Sequence, residues 1–481
     1  MTAHHPASGH AIRLPNGRTA SYEWGSYAIW LSDPLAVDKD TVGLMLAAIA
    51  NGNAYWRDSR EFRRFVAILH EATHCLQDLT TGVGLFDYFC RRERFPEILS
   101  EVRNASWNSR LGDRFGREAP SDAYGRWLDA GFLPQSPDAR ARRLRHVEQR
   151  LKADPRIDVR GLDLESLAID RLLEADAVVQ VYLALDNLAM APTEKTLKYR
   201  NRAMWAVSDM PEAYQGVYHE VLDVVRRWKE ADGGTVDDVS TILALRLSAL
   251  LMDLSLAHPS GQLIGQQQLD PNDYEPGLKF VVLLSALYRL ELEQHREFMT
   301  ALESWDIATA EGVLLRNSSI AYLPTSVIYT DWMARLEDSL RAGEDEITRL
   351  RYRVLQHRIN NPASFVFKSL LTFFGYPMPL ILVDRKGYRS STTDPYYLDS
   401  TIFDLIAAIQ HDVSVRRLVY CAYEAIPFVC CHAEFATCAG RLRSCKAGIV
   451  REEEFPGEEN CEIKRWLKHS YFGFFRVRPL S

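Results

Sequence analysis

From about residue 59 onward, apolar residues recur at intervals of three and four, the period of helices with one buried face. The pattern predicts helices near 59–79, 137–153, 163–187, 211–230, 236–257, 278–304, 326–342 and 344–359. The opening of the chain reads differently. AIRLPNGRTASYEW (11–24) sets Asn16-Gly17 between two short extended runs, a hairpin signal. SYAIWLS (26–32) alternates as a third strand would, and 39–50 combines an Asp-rich start with an apolar run, as a helix does. HPSGQLIGQQQLDPNDYEPG (258–277) is loop by composition, and a candidate boundary. Farther on, PLILVD (379–384) reads as a strand with Lys386-Gly387 as its turn. The expected fold is mainly α with a small β component (α+β). Four regions are expected: 1–57, a hairpin and helix; 58–190, a catalytic core; 191–376, a helical domain; and 377–481, a cysteine-rich region.

Composition and charge narrow the functional classes. The 481 residues carry a net charge of −7, with 47% hydrophobic and 25% charged residues, values of a globular protein without the basic excess of a nucleic-acid binder. RARRLRHVEQRLK (140–152) is a local basic run, read as a solvated helix face. The first residues lack a charged-then-apolar leader pattern, and 242–257, the most apolar run, is interrupted by Arg246 and Asp253. A cytoplasmic protein with no membrane partner is the expectation. Six of the eight cysteines fall at 421–461. Of these, Cys431, Cys438, Cys445 and Cys461, with His432 nearby, are candidates for a structural metal site, and buried free thiols are the other reading.

The chemistry concentrates in LHEATHCLQDLTTG (69–82). His70 and His74 stand four apart, so on a helix both imidazoles reach one metal ion. Glu71 lies about 100° around the axis from His70, beside the ligands, where it reaches a water on that metal without taking a coordination position. Phe62, Phe65, Val66, Leu69 and Leu76 give the helix an apolar face. A catalytic zinc needs a third protein ligand, and 162–186 offers one. There Glu174, followed by Ala175 and Ala177, enters an almost wholly apolar half-helix where an unpaired carboxylate is costly. Glu165 is the alternative; the two lie about 180° apart, so at most one faces the metal.

HEATHCLQDLTTG resembles the active-site helix of the thermolysin-like zincin metallopeptidases, the gluzincins, over about 15 residues. The shared features are Thr73 before the second histidine, Asp78 four residues after it, and the Thr–Gly ending. Gln77 and Thr80 stand where the metzincin pattern has glycine and histidine, which disfavours that class. The gluzincin resemblance implies a zincin-like core with a large helical extension. It implies His70 and His74 as zinc ligands, Glu71 as general base and a downstream Glu, matched here by the E-x-x-A pattern at Glu174, as third ligand. It also makes Asp78 a candidate acceptor for His74; Asp170, on the face of Glu174, is a second candidate for supporting the ligands. Tyr214, Tyr218, His219, His258 and His295 are candidates for stabilising an oxyanion. The expected activity is hydrolysis of peptide bonds, endopeptidase before aminopeptidase, on a protein or peptide substrate, with a protein partner on the helical region. The alternatives are a helical interaction or scaffold protein with a structural zinc, and a regulatory protein whose cysteine tail binds zinc and a partner.

Overall fold

The computed structural model describes residues 10–14, 18–24, 28–31, 39–50, 55–57, 59–90, 93, 131–133, 137–157, 163–189, 212–231, 238–341, 346–367, 380–383 and 386–388. The cysteines expected as metal ligands, Cys431, Cys438, Cys445 and Cys461, lie outside the described residues.

The described chain is mostly helical. Its α-helices are α1 (Lys39–Ala50), α2 (Ser59–Thr80), α3 (Pro137–Ala153), α4 (Ile169–Ala189), α5 (Glu212–Ala231), α6 (Asp238–Leu256), α7 (Gly261–Gln267), α8 (Pro276–Tyr288), α9 (Leu292–Glu303), α10 (Ile307–Asn317), α11 (Thr325–Arg341), α12 (Glu346–Asn360) and α13 (Pro362–Val366). Residues 82–90 are also helical. Five short strands, β1 (His10–Leu14), β2 (Arg18–Glu23), β3 (Ala28–Leu31), β4 (Leu380–Val383) and β5 (Lys386–Tyr388), pair in that order, with only β3 and β4 parallel. Lys386 and Gly387, expected as a turn, stand in β5.

Local capping explains where the helices depart from the apolar period. The expected helix 278–304 is two helices, because Glu291 and Gln294 form a reciprocal capping box that starts α9 afresh. The stretch 258–277, expected as loop, holds α7 and a 3₁₀ turn, Pro271–Tyr274. Ser260 Oγ accepts from the Leu263 N–H to start α7, and Gln268, at φ 52°, ends it in the left-handed region. Asp270 caps the 3₁₀ turn through the Asn272 N–H, with Pro271 at its first position. The expected helix 163–187 begins as a separate 3₁₀ turn, Leu164–Leu167, before α4.

One buried apolar cluster runs from Tyr22 to Phe367 and draws on both 58–190 and 191–376. α6 and α8 are buried almost all round, and α4 and α5 pack on α6. Among the described residues no single helix is long and apolar enough to cross a membrane; α6 with α7 meets the composition only as a pair bent by 80°. Three arginines of α3 are in ion pairs with other elements: Arg140 with Glu165 and Asp170, Arg143 with Glu275, and Arg150 with Asp273.

α2 is held on three sides. Along one, α4 packs against it; along another, β2 does. At its C-terminal half stands α12, which carries Arg351 and Arg358, seven residues apart and so on one face. Arg351 pairs with Asp78 at 2.9 Å and also donates to the Asp78 carbonyl, while its guanidinium lies 4.5 Å from the Tyr88 ring centre. Arg358 Nη2 donates to both carboxylate oxygens of Asp253 on α6, at 2.6 and 2.7 Å, and Nη1 donates to Thr80 Oγ1 at 3.3 Å. At the end of α2 the chain turns tightly against the segment after α6: a Cβ on Gly82 would collide with the backbone of His258.

Both partners of the Arg358–Asp253 pair are buried. Removing one strands the other charge in the core, so Asp253→Ala should lower the unfolding free energy by about 3–5 kcal/mol in urea titrations. Asp253→Ala/Arg358→Met should recover most of that loss. A loss no larger for the single variant than for the double would show that no charge is stranded.

Candidate metal centre

Two helices build the site. α2 brings His70, Glu71 and His74, and α4 brings Glu174. Phe65, Leu69, Ala72 and Leu76 of α2 share one buried cluster with Leu172, Ala175 and Val179 of α4. The small Ala72, Ala175 and Ala177 are all buried, and small side chains let helix axes approach. Threonines inside α2 satisfy their hydroxyls on its own backbone: Thr73 donates to the Leu69 carbonyl and Thr80 to the Leu76 carbonyl.

Three donor atoms converge between the helices. His70 Nε2 lies 3.1 Å from His74 Nε2 and 3.3 Å from Glu174 Oε2, and His74 Nε2 lies 3.4 Å from the same oxygen. All three residues are at most 5% exposed. A single proton can relieve the repulsion along only one edge of this triangle, whereas a cation at its centre contacts all three atoms. Ligands roughly 2.0–2.1 Å from a tetrahedral ion stand about 3.3–3.4 Å apart, so the spacing fits one face of a zinc tetrahedron and leaves its fourth corner open. Two imidazoles and a carboxylate are also a donor set that zinc accepts.

Protonation equilibria reflect the same crowding. Burial lowers His70. Burial also works against the His74 imidazolium, but the Glu174 carboxylate outweighs it and raises His74 to about 9. Burial would raise Glu174, yet His74 and His70 together hold it well below the usual carboxylate range. Glu71, 1% exposed, is pushed up by burial to about 8 despite the opposing His74 and the Tyr22 backbone N–H that donates to it. Its Oε2 is buried with no hydrogen-bond partner. An orphaned carboxylate oxygen is costly in a dry core. Beside three converging donors, it is placed to accept from a molecule that enters the site.

The far side of His74 is held by a residue that the sequence pattern did not mark. His74 Nδ1 lies 2.7 Å from Gln77 Oε1. Gln77 Nε2 donates to the Leu173 carbonyl at 3.0 Å and to Asp176 Oδ2 at 2.7 Å, and Asp176 Oδ1 accepts from Gln180. Asp78, expected as the acceptor for His74, instead receives Arg351 and the Tyr22 hydroxyl. It lies one position farther around the helix than Gln77 and points to α12. Asp170, expected beside Glu174, pairs with Arg140 at 3.3 Å at the less buried start of α4. Glu165 is mostly exposed and pairs with Arg140 at 2.6 Å, because the 3₁₀ turn before α4 takes it off the inward face. Three-residue spacing from a ligand was the available signal for Gln77; Asp176 becomes visible only once the helices are packed.

The other candidates lie elsewhere. His258 is enclosed by the rings of Phe86, Phe132 and Tyr274, and its Nδ1 donates to the Pro259 carbonyl at 2.7 Å. His295 packs against Trp228, with ring centres 4.2 Å apart and planes tilted by 48°, and His219 is exposed on α5. The side chains of Tyr214 and Tyr218 lie outside the described set. Compared with known protein families, curated proteins and solved structures, the chain has no significant match.

Burial lowers His258 from 6.5 to about 3, with Lys279 and Arg143 adding to the effect. The unfolded chain binds a proton between those values that the folded chain refuses, so stability present above 6.5 is lost as pH falls toward 3. The unfolding free-energy difference between parent and His258→Phe should therefore change by about 1.4 kcal/mol per pH unit over roughly pH 6 to 4, read from urea titrations. A difference independent of pH would show that His258 protonates equally in both states.

Proposed function

We propose that His70, His74 and Glu174 hold a zinc ion and that the protein is a zinc-dependent hydrolase of peptide bonds, with Glu71 as its general base. The observation that carries the reading is the triangle of donors at 3.1, 3.3 and 3.4 Å beside a buried, unpartnered Glu71 oxygen. Three protein ligands leave one coordination position for water, as catalytic sites do and four-ligand structural sites do not. Zinc there would supply a Lewis acid for the scissile carbonyl and acidify a water toward neutrality. Glu71 would take that water's proton and return it to the leaving amine. Its burial, which lifts it to about 8, suits a group that must gain and lose a proton near neutral pH. The surrounding apolar residues of α2 and α4 would keep bulk water away, and Gln77 would hold His74 in place.

This reading extends the gluzincin resemblance to a zincin-like core formed by α2, α4 and the sheet beside α2, with the later helices as an extension. It takes a protein or peptide as substrate, endopeptidase action before aminopeptidase action, and a cytoplasmic setting. One observation favours a rival. Every member of the cluster is at most 5% exposed, which suits an ion that braces α2 against α4 in a non-catalytic helical protein.

Metal content and peptide hydrolysis separate the two. The parent should bind one zinc in this site, His70→Ala and Glu174→Ala should lose it, and Glu71→Gln should keep it. All three variants should lose hydrolysis of a denatured-protein substrate. Zinc unchanged in His70→Ala overturns the site; hydrolysis by Glu71→Gln at the parent rate overturns Glu71 as the base, and a zinc-loaded parent without hydrolysis decides for the bracing ion.

A further inference from the structure

A buried glutamine three residues after a metal-ligating histidine, with both amide hydrogens committed, is a specific arrangement. Gln77 Nε2 donates to Leu173 O and to Asp176 Oδ2, both of them acceptors only. Turning the amide over would set its oxygen against two oxygens, so the orientation is fixed by the network. Gln77 Oε1 therefore faces His74 Nδ1 and must accept a proton from it. With the proton on Nδ1, the lone pair of the neutral imidazole lies on Nε2, the atom turned toward His70 and Glu174.

We propose that Gln77 and Asp176 are positioning residues that prepare His74 as a metal ligand; the proposal rests on the metal-binding reading of His70, His74 and Glu174. Two things follow from one side chain. Gln77 selects the tautomer and ring orientation of His74. It also ties α2 to the backbone of Leu173, the residue before Glu174, and to Asp176, two residues after it, so the spacing between His74 and Glu174 is fixed by the same amide. Asp176 is the acceptor at the end of this chain, receiving Gln77 on one oxygen and Gln180 on the other. Gln180 in turn donates to the Val366 carbonyl at 2.7 Å, which anchors the network on the far side of α4. The negative end of the chain polarises Gln77 and, through it, makes Nε2 of His74 a better donor.

The test is zinc affinity of the full chain, by competition with a chromogenic chelator, together with the visible spectrum of the cobalt(II) form. Gln77→Leu keeps the bulk and removes the acceptor. Gln77→Glu sets a carboxylate against Asp176. Both should weaken zinc binding about 10- to 100-fold and displace the cobalt bands. Gln77→Glu/Asp176→Asn removes one of the two conflicts, since the amide introduced at position 176 donates to the carboxylate introduced at position 77, which still accepts from His74 Nδ1 but leaves the Leu173 carbonyl without its donor; it should recover part of the affinity lost in Gln77→Glu and move the spectrum back toward the parent. A purely structural crosslink would not move the cobalt spectrum in a folded variant. If Gln77→Leu does not fold, the comparison of Gln77→Glu with the double variant decides. Parent-like affinity in Gln77→Leu, or a double variant no tighter than Gln77→Glu, overturns the proposal alone. A parent that takes up no zinc overturns the metal-site reading, and this proposal with it.

Discussion

Three basic atoms cannot rest against one another in a dry core unless something positive lies between them. That constraint organises the centre of this protein. His70, His74 and Glu174 are brought into a triangle by two helices whose apolar residues share one buried cluster. Several of the described polar side chains nearby then have partners. Gln77 takes the outer nitrogen of His74, Asp176 takes Gln77, and Asp78 is turned away to Arg351. One oxygen of Glu71 and the amide oxygen of Gln180 are left over. A buried carboxylate oxygen without a partner is a costly way to join two helices, since packed apolar side chains of similar volume hold helices at least as well.

The polar contacts divide α2 into three zones along its length. At its start, Glu61 receives Arg57, which also reaches Thr41 of α1. The donor residues occupy the middle. Its end is gripped by α12, through Arg351 on Asp78 and Arg358 on Thr80. Ionic contacts at both ends and apolar packing along the middle hold the helix at several separated points. A metal site gains from this, because ligand atoms displaced by a fraction of an ångström lose much of their affinity.

Local geometry was legible in the sequence and packed geometry was not. The four-residue spacing of His70 and His74 fixes their relation within α2 whatever the rest of the chain does, and a carboxylate entering an apolar half-helix marked Glu174. Asp78 and Asp170 were plausible by charge and went elsewhere, because which face a neighbouring helix covers depends on tertiary contacts. Gln77 was passed over because an amide has no charge to draw notice, and its role depends on Leu173 and Asp176, 96 and 99 residues away. In the fold, apolar period located most helices, yet it ran 276–288 and 292–303 together, since a capping box interrupts a helix without interrupting its apolar residues. Likewise, Ser260, Asp270 and Pro271 are turn formers by composition and helix starters by position.

The grip of α12 on α2 also has a consequence in time. His70 and Glu174 are separated by 104 residues, Asp78 and Arg351 by 273. On a chain made from its N-terminus, all three donors leave the ribosome long before Arg351 and Arg358 exist. Until then Asp78, at the end of α2, lacks the Arg351 guanidinium that it meets in the finished fold. Completion of the centre is thus a late event in synthesis, governed by a contact of very long sequence separation, and such contacts are the slow ones to form.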